Sequence, residues 1–172
     1  LTYYYAGRYV GSLLPLGSRA WGPLDPAAYP VADSGVLLRQ LELSAVTFNC
    51  QTLFAAHPDA RLRASATLRH VERLASDHSI VFLQETHGTS ADISALARLL
   101  TTHAILFSSF TSARAGGAIV LLRADLATRM LALRIGLHRR GRVIDLTIAT
   151  AAGRLQLINV HIDPAGTDAQ KR

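Results

Sequence analysis

The feature that most constrains the fold is the continuous apolar run at residues 80–83, Ile-Val-Phe-Leu, which is followed by Gln84 and Glu85. Strands with one solvent-exposed face alternate apolar and polar residues, whereas strands buried on both faces are apolar throughout. The run is therefore typical of a strand that is buried on both faces. Helical spacing of apolar residues at 61–76 and at 90–101 predicts two helices.

From residue 41 onward, the other orderly segments have strand character. They are short apolar runs at 43–48, 104–110, 118–123, 130–137, 143–150 and 155–162, and the last three are separated by glycine-containing turns at hairpin distance. The predicted order is strand, helix, strand, helix and then a run of strands, which indicates a mixed α/β fold that ends in an antiparallel meander. In the second helix we expect Ser90 or Asp92 as the N-cap and Leu99 among the inward-facing residues.

Residues 1–40 have a different composition from the rest of the chain. They hold four of the six prolines, all five tyrosines and the only tryptophan, and few of their apolar residues follow a regular period. Clusters of such chain breakers are typical of irregular segments. We therefore predict two parts, an irregular leader outside the fold at 1–40 and a folded domain at 41–172, although the leader's aromatic residues could instead pack against that domain.

The composition narrows the class of protein. Hydrophobic residues make up 49% of the chain, which is enough to build a core, and the formal net charge is +6. Because Lys171 is the only lysine, nearly all of this charge is arginine, whose planar fork suits phosphate oxygens. The charge is compatible with a nucleic acid or another phosphorylated partner, although the arginines are scattered and a general bias towards arginine would give the same count. The single cysteine, Cys50, excludes an internal disulfide and a multi-thiolate zinc site, and it fits a reducing nuclear or cytoplasmic compartment.

Two polar residues stand at the ends of predicted strands, Asn49 and Glu85. Ligands of open α/β sheets bind beyond the carboxyl ends of the strands. A carboxylate after four apolar residues is costly unless it is paired or bound to a metal, and magnesium prefers oxygen ligands. The pattern is therefore compatible with a magnesium site, but Glu85 could equally cap the following segment or pair with an arginine.

Four motifs occur in order along the chain: Thr-Phe-Asn at 47–49, Ile-Val-Phe-Leu-Gln-Glu-Thr-His at 80–87, Ala-Gly-Gly-Ala-Ile-Val-Leu at 115–121 and Leu-Ile-Asn-Val-His-Ile at 157–162. Together they resemble the endonuclease/exonuclease/phosphatase (DNase I-like) superfamily, and most closely the form seen in apurinic endonucleases and in the endonuclease domains of non-LTR retrotransposons. The resemblance covers residues 43 to 163, about the first half of the usual domain. It implies a DNase I-like two-sheet α/β sandwich that is incomplete in this chain.

The resemblance also implies roles for individual residues. Glu85 would hold Mg²⁺ (or Mn²⁺), and Asn49 would help to position both the metal and the scissile phosphate. His161 would hydrogen-bond the phosphate, unless it is a strand-end histidine satisfied by the backbone. Arg114 is a weaker candidate for substrate binding, with a solvated loop arginine as the alternative.

Other candidate residues are expected to have structural roles. We expect His87 beside the site or on the surface, Gly116 and Gly117 to serve backbone geometry, and Cys50 to be a small buried residue. The remaining histidines show no ligand spacing and are expected at the surface: His57, His70, His78, His103 and His138.

The resemblance implies a Mg²⁺-dependent phosphodiester hydrolase, best described as an endonuclease acting on DNA or RNA. The superfamily's later motifs, Gly-Asp-x-Asn and a terminal Asp-His pair, do not follow residue 162, and Asp163 and Asp168 stand in a different context. We therefore expect these 172 residues to be inactive alone. The alternatives are a phosphatase of inositol phosphates or lipids in the same superfamily, and a non-catalytic remnant or binding module.

Overall fold

The computed structural model describes residues 2–5, 9–10, 42–54, 61–107, 116–139, 142–151 and 153–161. The elements in chain order are β1 (Thr2–Tyr5), β2 (Tyr9–Val10), β3 (Ala45–Asn49), α1 (Arg61–Asp77), β4 (Ile80–Gln84), α2 (Ser90–Leu99), β5 (His103–Phe107), β6 (Ala118–Arg123), α3 (Ala124–Arg129), β7 (Met130–Arg139), β8 (Val143–Thr150) and β9 (Gly153–Val160). The predictions for Arg114, for His57 and for residues 108–110 of the third predicted strand lie outside the described residues.

The first sheet has six strands in the order β2-β1-β5-β6-β4-β3. β3 and β4 are parallel, as expected for strands joined by the crossover helix α1, whereas β6 is antiparallel to both β4 and β5. The parallel pairing of β3 with β4 brings the carboxyl ends of these two strands to the same edge of the sheet. Asn49 is the register partner of Gln84 at that edge.

The second sheet is the antiparallel meander β7-β8-β9, as the sequence predicts. The two sheets face each other, and β6 shows this best because its side chains alternate between two cores. Ile119 and Leu121 pack with α1 and α2, while Val120 and Leu122 pack with the inner face of β8. The described part of the chain is thus an α/β sandwich with helices on one face of the first sheet and a second sheet on the other.

Strand β4, which lies between β6 and β3, confirms the prediction that the apolar run is a buried strand. Ile80 belongs to the core between the sheets, Val81 and Leu83 belong to the core under the helices, and all three are fully buried. Phe82 is partly buried and packs towards the second sheet.

Four local predictions were wrong. The N-cap of α2 is Thr89 instead of Ser90 or Asp92, because its hydroxyl accepts a hydrogen bond from the Asp92 backbone while the Asp92 carboxylate accepts one from the Thr89 backbone. Leu99 lies in the last turn of α2 and its side chain is 47% exposed. His103 is buried rather than at the surface, because β5 begins there and places its ring against the segment before β4.

The fourth correction concerns the leader. Thr2–Tyr5 pairs with β5 in the first sheet, and Tyr9–Val10 pairs with Thr2–Tyr5, so these six residues are not outside the fold. The physical reason is that a tyrosine-rich run has high strand propensity and can add to an open sheet edge. Residues 11–40 lie outside the described residues.

Candidate active site

Glu85 directly follows β4, and its backbone has a φ of +50°. This left-handed conformation costs a residue with a Cβ about 1–2 kcal/mol, and such residues cluster at functional sites. The change of backbone conformation at Glu85 ends β4 and interrupts the regular alternation of its side chains between the two faces of the sheet. The Glu85 side chain is 31% exposed, so the carboxylate is open to solvent on one side.

His161 directly follows β9 and meets Glu85 across the two sheets. Its Nε2 lies 2.8 Å from Glu85 Oε1, and its side chain is 13% exposed. Its backbone N–H donates to the carbonyl of Arg142 at 2.9 Å, and Arg142 Nη1 is hydrogen-bonded to His161 Nδ1. Because a guanidinium can only donate, Nδ1 must accept, which leaves the proton on Nε2 to point at the Glu85 carboxylate.

Asn49 stands on the neighbouring strand end and is exposed. Its side-chain Oδ1 accepts a hydrogen bond from the backbone N–H of Gln51 at 3.0 Å, which fixes the side chain in a local turn. The Cys50 backbone N–H donates to the Gln84 carbonyl at 2.9 Å, so the pairing of β3 with β4 continues past Asn49. The structure therefore brings Asn49, Glu85 and His161 to one edge of the sandwich, and their roles there remain predictions.

The loops behind this edge are held by backbone contacts. Thr52 N–H donates to the Glu85 carbonyl at 2.9 Å, and the Thr52 hydroxyl is hydrogen-bonded to His87 Nδ1 at 3.0 Å. His87 N–H donates to the carbonyl of Gly116 at 2.9 Å. Gly116 and Gly117 have φ of +78° and +91°, which confirms that these glycines serve backbone geometry. Burial lowers the pKa of His87, with the nearby Glu85 charge acting in the opposite direction.

Cys50 is a small buried residue, as predicted. It is 3% exposed, and burial, assisted by the negative charge of Glu85, raises the pKa of its thiol to about 12. A thiol with this pKa stays protonated at neutral pH, so Cys50 offers no thiolate to a metal or a substrate.

The donor set at this edge can be compared with the needs of a divalent cation. Glu85 offers a partly exposed carboxylate and Asn49 an amide oxygen, both hard oxygen ligands of the kind that Mg²⁺ takes. Within the described ranges, no group of three or more His, Cys, Asp and Glu side chains is arranged to hold a metal ion. The residues present fit Mg²⁺ in its usual protein form, in which one or two protein ligands are completed by water and phosphate oxygens.

The sequence analysis did not single out Arg142, Gln84 or Asn159. Arg142 comes into the site because β8 begins just after it and runs beside β9. The signal for Asn159 was present in the pattern: Leu155, Leu157 and Asn159 are spaced two residues apart on β9, so Asn159 is a polar residue on an apolar face. It is 1% exposed, and its amide donates to the carbonyls of Leu83 and Ile119.

Comparison with solved structures identifies this architecture as the DNase I-like fold. The AP endonuclease LMAP from Leishmania major matches 74% of this chain with a TM-score of 0.53 and 16% identity. A humanized TDP2 of D. rerio that carries 14 mutations matches 75% of this chain with a TM-score of 0.50 and 19% identity. These identities establish likeness of fold.

The matched region covers 42% of the length of the AP endonuclease and 54% of that of the TDP2. No family model matches the chain, and no curated protein matches its sequence. Among the described residues, no helix has both the length and the apolar character needed to cross a membrane.

Proposed function

We propose that this chain carries part of the active site of a Mg²⁺-dependent phosphodiester hydrolase, an endonuclease that acts on DNA or RNA. The observation that supports this best is the contact of 2.8 Å between His161 Nε2 and Glu85 Oε1, which joins the ends of two strands from different sheets. One structure with this fold is named an AP endonuclease, which agrees with the nuclease reading.

In this proposal Glu85 and Asn49 hold the metal, which when bound acts as a Lewis acid on a phosphoryl oxygen. Arg142 donates to His161 Nδ1 and so keeps the Nε2 proton available as a hydrogen-bond donor. When substrate enters, that donor is exchanged from Glu85 to a phosphate oxygen and stabilises the charge that develops there. The chain's net charge of +6 favours the approach of a polyanion.

The decisive experiment is a plasmid-nicking assay in Mg²⁺ or Mn²⁺, with a duplex containing an abasic site and a labelled RNA as further substrates. Glu85→Gln removes the charge and keeps the shape, and we expect activity to fall at least about 100-fold, because the loss of one charge-stabilising group costs that much in other enzymes. Glu72→Gln makes the same chemical change on α1, outside the site, and is the matched control. Equal nicking by wild type, Glu85→Gln and Glu72→Gln would contradict the proposal.

We further propose that these 172 residues do not complete a turnover alone, because the resemblance implies further catalytic groups, in a Gly-Asp-x-Asn segment and a terminal Asp-His pair, that they do not contain. The assay is therefore run on this chain and on the full-length gene product. Nicking by this chain at the rate of the full-length product would show that no further group is needed.

Metal binding is measured separately from activity. Mn²⁺ broadens the NMR signals of nearby amides, and we expect broadening at Asn49 and Glu85 in wild type and in Glu72→Gln, but not in Glu85→Gln. Phosphate release from inositol phosphates without nicking would assign the site to a phosphatase. Failure of every substrate would support the non-catalytic reading.

A further inference from the structure

A polar network crosses the sandwich directly behind the candidate site, and two of its three side chains, Gln84 and Asn159, are buried. Gln84 Nε2 donates to the Thr47 hydroxyl at 3.0 Å and to Asn159 Oδ1 at 2.7 Å. Asn159 Nδ2 in turn donates to the Leu83 carbonyl at 3.0 Å and to the Ile119 carbonyl at 2.9 Å. The network thereby links three strands of the first sheet, β3, β4 and β6, to β9 of the second.

The network is saturated on its donor side. Both N–H bonds of the Gln84 amide and both N–H bonds of the Asn159 amide have acceptors, and these side chains are 7% and 1% exposed. A buried amide left unpaired is costly, so four satisfied donors in one place hold both side chains in a single arrangement. No member of this network belongs to the groups that the proposed chemistry uses.

The positions of the members relate them to the site. Thr47 lies two residues before Asn49, Gln84 lies immediately before Glu85, and Asn159 lies two residues before His161. Apolar packing between the sheets sets their separation but is non-directional. Hydrogen bonds are directional, so this network can fix how far β9 slides along β4. That offset decides whether His161 meets Glu85.

We propose that Thr47, Gln84 and Asn159 are positioning residues, which fix the register between the two sheets so that Asn49, Glu85 and His161 are held at one strand edge. The catalytic consequence rests on the proposed hydrolase function, whereas the geometric consequence stands without it. The experiment therefore has two readouts.

The first readout is the NMR signal of the His161 Nε2 proton, which is hydrogen-bonded to the Glu85 carboxylate at an N···O distance of 2.8 Å. Gln84→Met removes the amide at similar length, and we expect this signal to broaden or disappear. Gln156→Met is the matched control, because Gln156 is exposed on the outer face of β9 and donates instead to Asp145 at 3.1 Å. Val71→Ala opens a cavity in the core under the helices and controls for lost stability alone. Both controls should keep the His161 signal.

Should Gln84→Met not fold, the pair Thr47→Val and Thr47→Ser replaces it, because Thr47 is exposed and we expect its substitution to disturb the core little. Valine removes the acceptor at nearly constant shape, while serine restores the hydroxyl, so the His161 signal should weaken in the first and recover in the second. A His161 signal in Gln84→Met, or in Thr47→Val, that superimposes on that of wild type would overturn the proposal.

The second readout is hydrolysis by the full-length gene product. We expect kcat to fall about 10- to 100-fold in Gln84→Met while KM changes less than about twofold, because misplacing reacting groups by about 1 Å costs this much without weakening binding. An unchanged kcat would overturn the catalytic consequence. A wild type without activity would refute the hydrolase function, and the His161 signal would still decide the positioning role.

Discussion

Removing the Asn159 side chain gives the sharpest test of how the two sheets are held together. Asn159→Ala deletes three hydrogen bonds at 2.7, 3.0 and 2.9 Å from a residue that is 1% exposed. It leaves one N–H of Gln84 and the carbonyls of Leu83 and Ile119 without that partner.

The expected loss follows from these three groups. A buried group left without its hydrogen bond costs about 1–3 kcal/mol. We expect each of the two carbonyls to cost about 1 kcal/mol, because each keeps a second lone pair that can accept a hydrogen bond. The sum predicts that the free energy of unfolding falls by about 3–5 kcal/mol, a large share of the 5–15 kcal/mol typical of a domain. Gln156→Ala on the outer face of the same strand should cost less, about 1–2 kcal/mol, because it deletes one hydrogen bond, to Asp145.

Urea unfolding followed by far-UV circular dichroism measures both values, provided that the two variants and wild type share the same slope with urea. The double variant with Gln84→Ala adds a check, because contacting residues should show a coupling of about 0.5–3 kcal/mol. A loss below about 1 kcal/mol for Asn159→Ala, or additive losses in the double variant, would refute the reasoning that this network binds the sheets.

Three further predictions concern local structure. Gly88→Ala should lower the free energy of unfolding in urea by about 2–4 kcal/mol, because φ is +97° and the new Cβ would lie 2.5 Å from Cδ2 of Phe54. In the double variant with Phe54→Ala, part of this loss should be recovered. If the losses of the two single variants simply add, the predicted clash is contradicted. Burial lowers the pKa of His103, so protonation below about pH 6.5 favours the unfolded chain and the protein becomes less stable as the pH falls. Between pH 7.5 and 5 the melting temperature should therefore fall less in His103→Gln than in wild type. Equal falls in the two proteins would contradict this role of His103. Thr89→Ala should cost about 1 kcal/mol by removing the cap of α2, whereas Thr89→Ser should be nearly neutral in the same assay.

The elements with strong local periodicity could be predicted from the sequence alone. The apolar run of β4 was typical of a strand buried on both faces, and helical spacing indicated α1 and α2. The motif resemblance also selected Asn49, Glu85 and His161 as candidates. These signals are local, because the backbone period and the residues that end a strand lie within a few positions of each other.

Only the tertiary structure decided what these residues meet. The burial of His103, the pairing of Thr2–Tyr5 with β5 and the donor that Arg142 supplies to His161 all depend on strands that are distant in the sequence. The position of Asn159 between the sheets depends on the register of β9 against β8 and on the packing of one sheet on the other. A hydrogen bond requires its two groups within about 3 Å in a narrow range of angles, which no local period along the chain can encode.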